Sequence, residues 1–133
     1  MLAAALAAAT PAIGGGGEPR TYAGPIEQGG EISFRLSGAG RKVDQIAISK
    51  IVADCRGGTG KLVFKIHGDT PVVEGRRFGV RSEDGSGGKA FVQGRFSRNY
   101  KRAMGVVRVY GKFSFGPNGS ARCNSGKQTF VAR

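Results

Sequence analysis

Hydrophobic and polar residues alternate over many short stretches of this 133-residue chain. In "EISFRLS" the apolar residues Ile32, Phe34 and Leu36 share one side of a two-residue period, and "KLVFKIH" repeats the pattern. Such a period places successive side chains on opposite faces of a β-strand. No long stretch shows the period of about 3.6 residues that marks an amphipathic helix. The alternation therefore predicts an all-β chain.

Turn signals separate these stretches. The chain contains 24 glycines, well above the usual share of about 7%, and segments such as "CRGGTG", "EDGSGG" and "GPNGS" are typical of tight turns. The spacing predicts an antiparallel β-sandwich, jelly-roll or Ig-like, of about eight or nine short strands. A barrel is the alternative. We expect one domain over residues 18–133.

The segment "KAFVQGRFSRNYKRAMGVVRVYGKF" predicts a β-hairpin. The apolar positions of its two halves face each other if Phe96 pairs with Ala103 and Val92 with Val107. This register leaves a six-residue loop over 97–102, and a five-residue loop would break the match. The sequence therefore predicts both the loop and the side chains that point outward from the sheet.

The outward face of this hairpin, 89–112, predicts a basic surface that contains aromatic rings. The register places Phe91 opposite Arg108, which predicts a cross-strand cation–π pair. Such a surface is typical of binding to a polyanion, through charge and through stacking on the rings. The alternative is that the rings are covered and the cations only keep an edge soluble. The candidate residues are Lys89, Phe91, Arg95, Arg98, Tyr100, Lys101, Arg102, Arg108, Tyr110 and Lys112.

The charge is high and unevenly distributed. The formal net charge is +12, from 21 basic and nine acidic residues. All nine acidic residues lie between Glu18 and Asp84, so the segment 85–133 carries ten basic residues and no acidic one. This asymmetry favours acidic partners such as a cell-surface glycan, a nucleic acid or lipid headgroups.

The first 17 residues, "MLAAALAAATPAIGGGG", carry no charge and begin with a short apolar stretch. They predict a secretory signal peptide, and therefore a secreted protein. The alternative is an alanine-rich tail. The apolar stretch is too short to span a membrane, so we expect no transmembrane segment.

Cys55 and Cys123, the two cysteines of the chain, fit one disulfide in an exported protein. Two buried free thiols are the alternative.

The residues needed for catalysis are poorly represented. His67 is the one histidine, and the spacing required for a phosphate-binding loop is not met at "CRGGTGKL". The carboxylates of Asp69, Glu74, Glu83 and Asp84 are candidates for a glycosidase pair, but their place beside turns predicts solvated side chains. We therefore predict no enzyme activity, no metal site and no cofactor. A small hydrolase is the weakest alternative.

Several motifs carry a resemblance that covers about residues 21–133. "EQGGEISFRLSGAGRKV", "AMGVVRVYGKF" and the terminal "CNSGKQTFVAR" resemble small secreted β-sandwich proteins, of uncharacterised function, from high-GC Gram-positive bacteria. The resemblance implies the fold, export and a Cys55–Cys123 bridge, and implies nothing about activity.

The sequence thus predicts a secreted, monomeric, non-enzymatic binding or surface-structural module. The alternative is a polyanion or nucleic-acid binder that acts through the basic hairpin.

Overall fold

Ten β-strands make up most of the computed structural model, which describes residues 18–133. The predicted signal peptide, residues 1–17, lies outside the described residues. A 3₁₀ turn at Gly116–Asn118 precedes the ninth strand. The all-β antiparallel class is confirmed, with ten strands where eight or nine were predicted. The strands are β1 (Arg20–Pro25), β2 (Glu31–Ser37), β3 (Lys42–Cys55), β4 (Gly58–Ile66), β5 (Thr70–Pro71), β6 (Arg77–Glu83), β7 (Gly88–Phe96), β8 (Ala103–Ser114), β9 (Ser120–Asn124) and β10 (Gln128–Ala132).

All the strands belong to one hydrogen-bonded antiparallel sheet, in the order β1-β2-β3-β9-β8-β7-β6. β10 adds to β8, while β4 and β5 add to β3. The two longest strands, β3 and β8, run parallel to each other because both are antiparallel to β9. At their first residues they are separated by β2, β1 and β10, whereas at their last residues only β9 lies between them. A gap therefore lies between β3 and β8 in the middle of the sheet, and we call this gap the split.

The split is closed on one side by hydrogen bonds between β1 and the end of β10. The Ala23 and Arg133 backbones exchange N–H to O bonds of 3.1 and 2.9 Å, and Ile26 forms a bridge with Phe130. The two halves of the sheet, β1–β5 on one side of the split and β6–β8 on the other, are thus linked both here and through β9. Inward side chains of the two halves contact each other between strands that are not paired, for example in β2 and β6.

An aromatic cluster fills the space between the two halves. Phe34 in β2 contacts Phe78 in β6 with ring centroids 5.3 Å apart, although these strands are not paired. Tyr22 in β1 contacts Phe96 in β7 at 5.1 Å. Phe130 of β10 lies 6.2 Å from Phe34. Because these rings are almost fully buried, their removal from water is a main source of stability.

The buried amide of Gln128 occupies the split in the sheet. Its Nε2 donates to the Val52 carbonyl of β3 at 2.9 Å and to the Ser125 carbonyl at 3.0 Å. Its Oε1 accepts from the Gln28 backbone N–H at 3.2 Å. Val52 lies where β2 has ended and β9 has not begun, so the side chain replaces a missing strand neighbour. Gln128 is 0% exposed, and this burial is tolerated because its amide is fully hydrogen-bonded.

The Cys55–Cys123 disulfide joins the opposite side of the split. These residues face each other across β3 and β9 and are 68 positions apart in the chain. The bridge is confirmed, and the alternative of two free thiols is wrong. It fixes β9 to the end of β3, where only two residue pairs connect these strands.

Asp44 forms the most buried salt bridge of the described residues. It lies opposite Arg35 across β2 and β3 and accepts from Arg35 Nε at 2.8 Å and Nη2 at 3.0 Å. Ser37 Oγ donates to the same carboxylate at 3.0 Å. The hydrogen bonds from Arg35, and then that from Ser37, hold the pKa of Asp44 below its usual value, although burial opposes this shift.

Removing the disulfide should destabilise the fold substantially. We expect the double variant Cys55→Ser/Cys123→Ser to lose about 4 kcal/mol of unfolding free energy, because a 68-residue separation is no longer constrained in the unfolded chain. Urea unfolding of both proteins, followed by circular dichroism, measures the loss. Equal unfolding midpoints would contradict this.

The Asp44 ion pair should make stability dependent on pH in the acidic range. The folded-state pKa is lowered, so the carboxylate stabilises the fold above the unfolded pKa of about 4 and this contribution disappears as the pH falls through the folded pKa. Urea midpoints between about pH 6 and pH 2 should fall more for the native chain than for Asp44→Asn. Asp69→Asn, which removes the exposed Lys42–Asp69 pair, is the control and should retain the native profile.

Candidate anion-binding surface

The hairpin of β7 and β8 has the predicted register. Phe96 pairs with Ala103 and Val92 with Val107, which leaves the six-residue loop 97–102. The inward residues of both strands are buried or nearly so, and the outward residues are partly or fully exposed. The predicted division into an inward apolar face and an outward basic face is therefore confirmed.

Tyr100, at the tip of this hairpin, packs against the core. Its ring lies 5.7 Å from that of Phe96, and its backbone carbonyl accepts a 2.6 Å hydrogen bond from the buried Tyr22 hydroxyl. Its φ of +58° places it in the left-handed region that the tight loop requires. A free stacking platform at Tyr100 was the prediction, and the half-buried ring is instead an anchor of the loop.

The outward side of β6–β9 forms a surface that we call the basic face. Register brings its residues into adjacent rows, for example Arg81 beside Phe91 and Lys112 beside Arg122. Glu83 of β6 is its acidic residue, and Asp54 of the neighbouring β3 borders it opposite Asn124. The described residues form two salt bridges, Arg35–Asp44 and Lys42–Asp69, and neither lies here. The cations of the basic face, none of them in a salt bridge, are Arg77, Arg81, Lys89, Arg95, Arg108, Lys112, Arg122 and Lys127.

The two aromatic rings of the basic face are covered by cations. The Arg81 guanidinium lies 4.8 Å from the Phe91 ring centroid, and Lys127 Nζ lies 5.9 Å from it. The Arg108 guanidinium lies 4.1 Å from the Tyr110 ring centroid. The predicted Phe91–Arg108 pair is therefore wrong, although these residues are opposite in register.

A hydrogen bond explains the different partner of Arg108. Its Nε donates to Asn124 Oδ1 at 3.1 Å, which directs the guanidinium toward β9 and over Tyr110. Arg81 takes its place beside Phe91, because β6 pairs with β7 on the other edge. Arg81, Arg122 and Lys127 were absent from the predicted site, since only long-range strand pairing brings them to the hairpin.

A cavity of about 520 Å³ lies at the end of the basic face where β3, β8 and β9 meet. We call it the β9 cavity. Its charged lining consists of Lys89, Lys112, Arg122 and Asp54. Asn124 and Tyr110 complete the polar wall, and the backbone of Cys123 connects this wall to the disulfide. Of these residues, Lys89, Tyr110 and Lys112 were predicted from the sequence as candidates for polyanion binding.

A second depression, of about 360 Å³, lies at the hairpin loop. Its four cations, Arg98, Lys101, Arg102 and Arg133, form what we call the loop cluster. Ser97 and Asn99 complete its lining, which contains no acidic residue. Arg133, which follows β10, thus adds a cation to the three that were predicted.

The residues predicted as candidates for catalysis lie on the surface or in turns. His67 is exposed just after β4 and makes no hydrogen bond to a carboxylate or hydroxyl among the described residues. Asp84 Oδ1 accepts from the Ser86 and Gly88 backbone N–H groups at 2.8 and 2.9 Å, which lowers its pKa. Asp84 therefore closes a turn. No group of three potential ligand side chains that could hold a metal ion occurs within residues 18–133.

Comparison with known proteins finds no matching protein family, no similar curated protein and no similar solved structure. In the part of the chain that the structure describes, no helix has the length and apolar character needed to cross a membrane.

The assignment of cations to rings can be tested by nuclear magnetic resonance. We expect Arg108→Met to shift the ring resonances of Tyr110 and leave those of Phe91 unchanged, because the guanidinium lies over Tyr110. Arg81→Met should do the reverse. If Arg108→Met shifted the Phe91 ring resonances and Arg81→Met did not, the Phe91–Arg108 pair predicted from register would be correct.

Proposed function

We propose that this chain is a secreted, non-enzymatic module that binds an acidic polymer through its basic face. The observation that carries the proposal is the group of cations on the outward side of β6–β9, none of which forms a salt bridge within residues 18–133. Clustered charges of one sign create a strong local potential that attracts oppositely charged ligands. The Cys55–Cys123 disulfide supports export, because such bridges persist mainly in oxidising compartments.

The length of the basic face supports a polymer as the ligand. Between the row of Arg95 and Met104 and the row of Lys112, β8 advances eight residues, or roughly 27 Å at about 3.4 Å per residue. The loop cluster extends the positive surface beyond Arg95. A chain with repeated negative groups can contact several rows at once, whereas a small anion contacts one.

The covered rings favour an acidic glycan over a nucleic acid. Proteins that bind single-stranded nucleic acids usually stack bases on open aromatic faces. Here Phe91 and Tyr110 are covered by cations and Tyr100 packs against the core. Affinity would thus come from charge contacts to carboxylate or sulfate groups. An acidic cell-surface glycan fits this chemistry.

The surroundings of His67 support a non-enzymatic role. An acid–base or nucleophilic mechanism needs a base within hydrogen-bond reach of its partner. His67 makes no such contact within the described residues, and Asp84 and Asp69 are engaged in a turn and in a surface salt bridge.

Heparin, a sulfated glycan, provides the test. We expect the native chain to bind it at low salt and to lose affinity linearly on a logarithmic salt scale, as charge-driven binding does. Arg95→Glu/Lys101→Glu should weaken binding by about tenfold or more. The matched control is Lys50→Glu/Lys65→Glu, at exposed positions of β3 and β4, which changes the net charge equally and should weaken binding only about threefold or less.

Three results would contradict the proposal. Absence of binding at low salt would remove it, and equal losses in both variants would show that net charge alone is responsible. Tighter binding of single-stranded DNA than of heparin, at matched charge, would replace the glycan by a nucleic acid.

A further inference from the structure

The β9 cavity differs from the rest of the basic face because it combines both signs of charge with neutral polar groups. Lys89, Lys112 and Arg122 line it together with Asp54. None of these four side chains forms a salt bridge in the described residues, although they share one cavity. Its volume of about 520 Å³ lies within the usual range for small-molecule sites, roughly 300–1,000 Å³.

Asp54 limits which anions suit this cavity. It is exposed and lies directly opposite Asn124 across β3 and β9, and its carboxylate makes no hydrogen bond among residues 18–133. An ionised carboxylate only accepts hydrogen bonds. It therefore disfavours a bare anion, and it can accept a hydrogen bond from a ligand that carries hydroxyl donors close to its negative group.

Asn124 is oriented so that it can supply donors to the same ligand. Its Oδ1 already accepts from Arg108 Nε at 3.1 Å and from the Gly126 backbone N–H at 2.8 Å. The NH₂ group makes no hydrogen bond in the described structure, and both of its hydrogens remain available. Arg108 thus positions the Asn124 amide and at the same time covers one ring, Tyr110.

We infer that the β9 cavity is a subsite for one acidic sugar unit. The carboxylate or sulfate of the sugar contacts Lys112 and Arg122, a neighbouring hydroxyl donates to Asp54, and another accepts from the Asn124 NH₂ group. The inference rests on the proposed function and adds that one unit of the polymer is recognised individually. A nucleotide suits the cavity less well, because Arg108 already stacks on the Tyr110 ring.

The test compares small probes by two-dimensional ¹H–¹⁵N spectroscopy of the full chain. We expect sodium glucuronate to shift, saturably, the side-chain amide signals of Asn124 and the backbone signals of Lys112 and Arg122. Glucose and sodium sulfate should each bind at least about tenfold more weakly, since each offers only one of the two kinds of group.

Two variants separate this subsite from a simple anion site. Asp54→Asn should weaken the binding of glucuronate by about tenfold. The binding of sulfate should stay equal or become tighter, because a repelling charge is lost. Lys50→Glu/Lys65→Glu, at exposed positions of β3 and β4 remote from Asp54, is the control and should leave the binding of glucuronate unchanged. Thermal unfolding checks that Asp54→Asn keeps its fold, and if it does not, Asp54→Ser replaces it.

The outcomes distinguish the inference from the proposed function. Sulfate that binds as tightly as glucuronate, or adenosine monophosphate that binds more tightly, overturns the sugar assignment. If heparin binds but glucuronate leaves the cavity signals unchanged, the subsite is refuted and the proposed function stands. If glucuronate binds there and heparin does not bind, the polymer function is refuted.

Discussion

The split between β3 and β8 is the constraint on which the rest of the structure depends. Three strands separate these long strands at one end and one strand separates them at the other, so backbone groups beside the split lack a strand partner. An unpaired buried backbone group costs about as much as a lost hydrogen bond. Gln128 satisfies Val52 of β3, and Ser125 exchanges hydrogen bonds with the Val109 backbone of β8. With these contacts the sheet can curl around its aromatic core without losing its hydrogen bonds.

The segment "CNSGKQ" at 123–128 contributes residues both to the split between β3 and β8 and to the candidate site. Cys123 forms the disulfide, Ser125 and Gln128 fill the split, and Asn124 points to the outward side. Since β9 is held to β3 by only two residue pairs, the same few contacts determine where Asp54 stands relative to Arg122. Stability and the geometry of the β9 cavity are therefore coupled.

The alternation of apolar and polar residues predicted the features that depend on residues close together in the chain, which are the buried faces of strands and the length of a hairpin loop. The alternation in β2 and β4 gave their buried faces, and matching parity gave the six-residue loop 97–102. The cavity could not be predicted in this way, because Asp54, Arg122 and Asn124 meet through pairing between distant strands. β1 was also missed, since "RTYAGP" is short and contains glycine and proline. The prediction that Arg108 lies over Phe91 was wrong because Arg108 forms a hydrogen bond to Asn124, and strand register cannot show this bond.

The covered rings also bear on how the basic face can bind. Like charges repel one another, so cations without acidic partners destabilise the folded chain slightly, and a ligand that neutralises them stabilises it by mass action. A free arginine would lose side-chain entropy when it binds an anion. The Arg81 and Arg108 guanidinium groups already lie over aromatic rings, so part of that entropy is lost on folding and less is lost on binding. Under the proposed function the rings thus hold cations in position for an anionic ligand, which is a different role from stacking on the ligand.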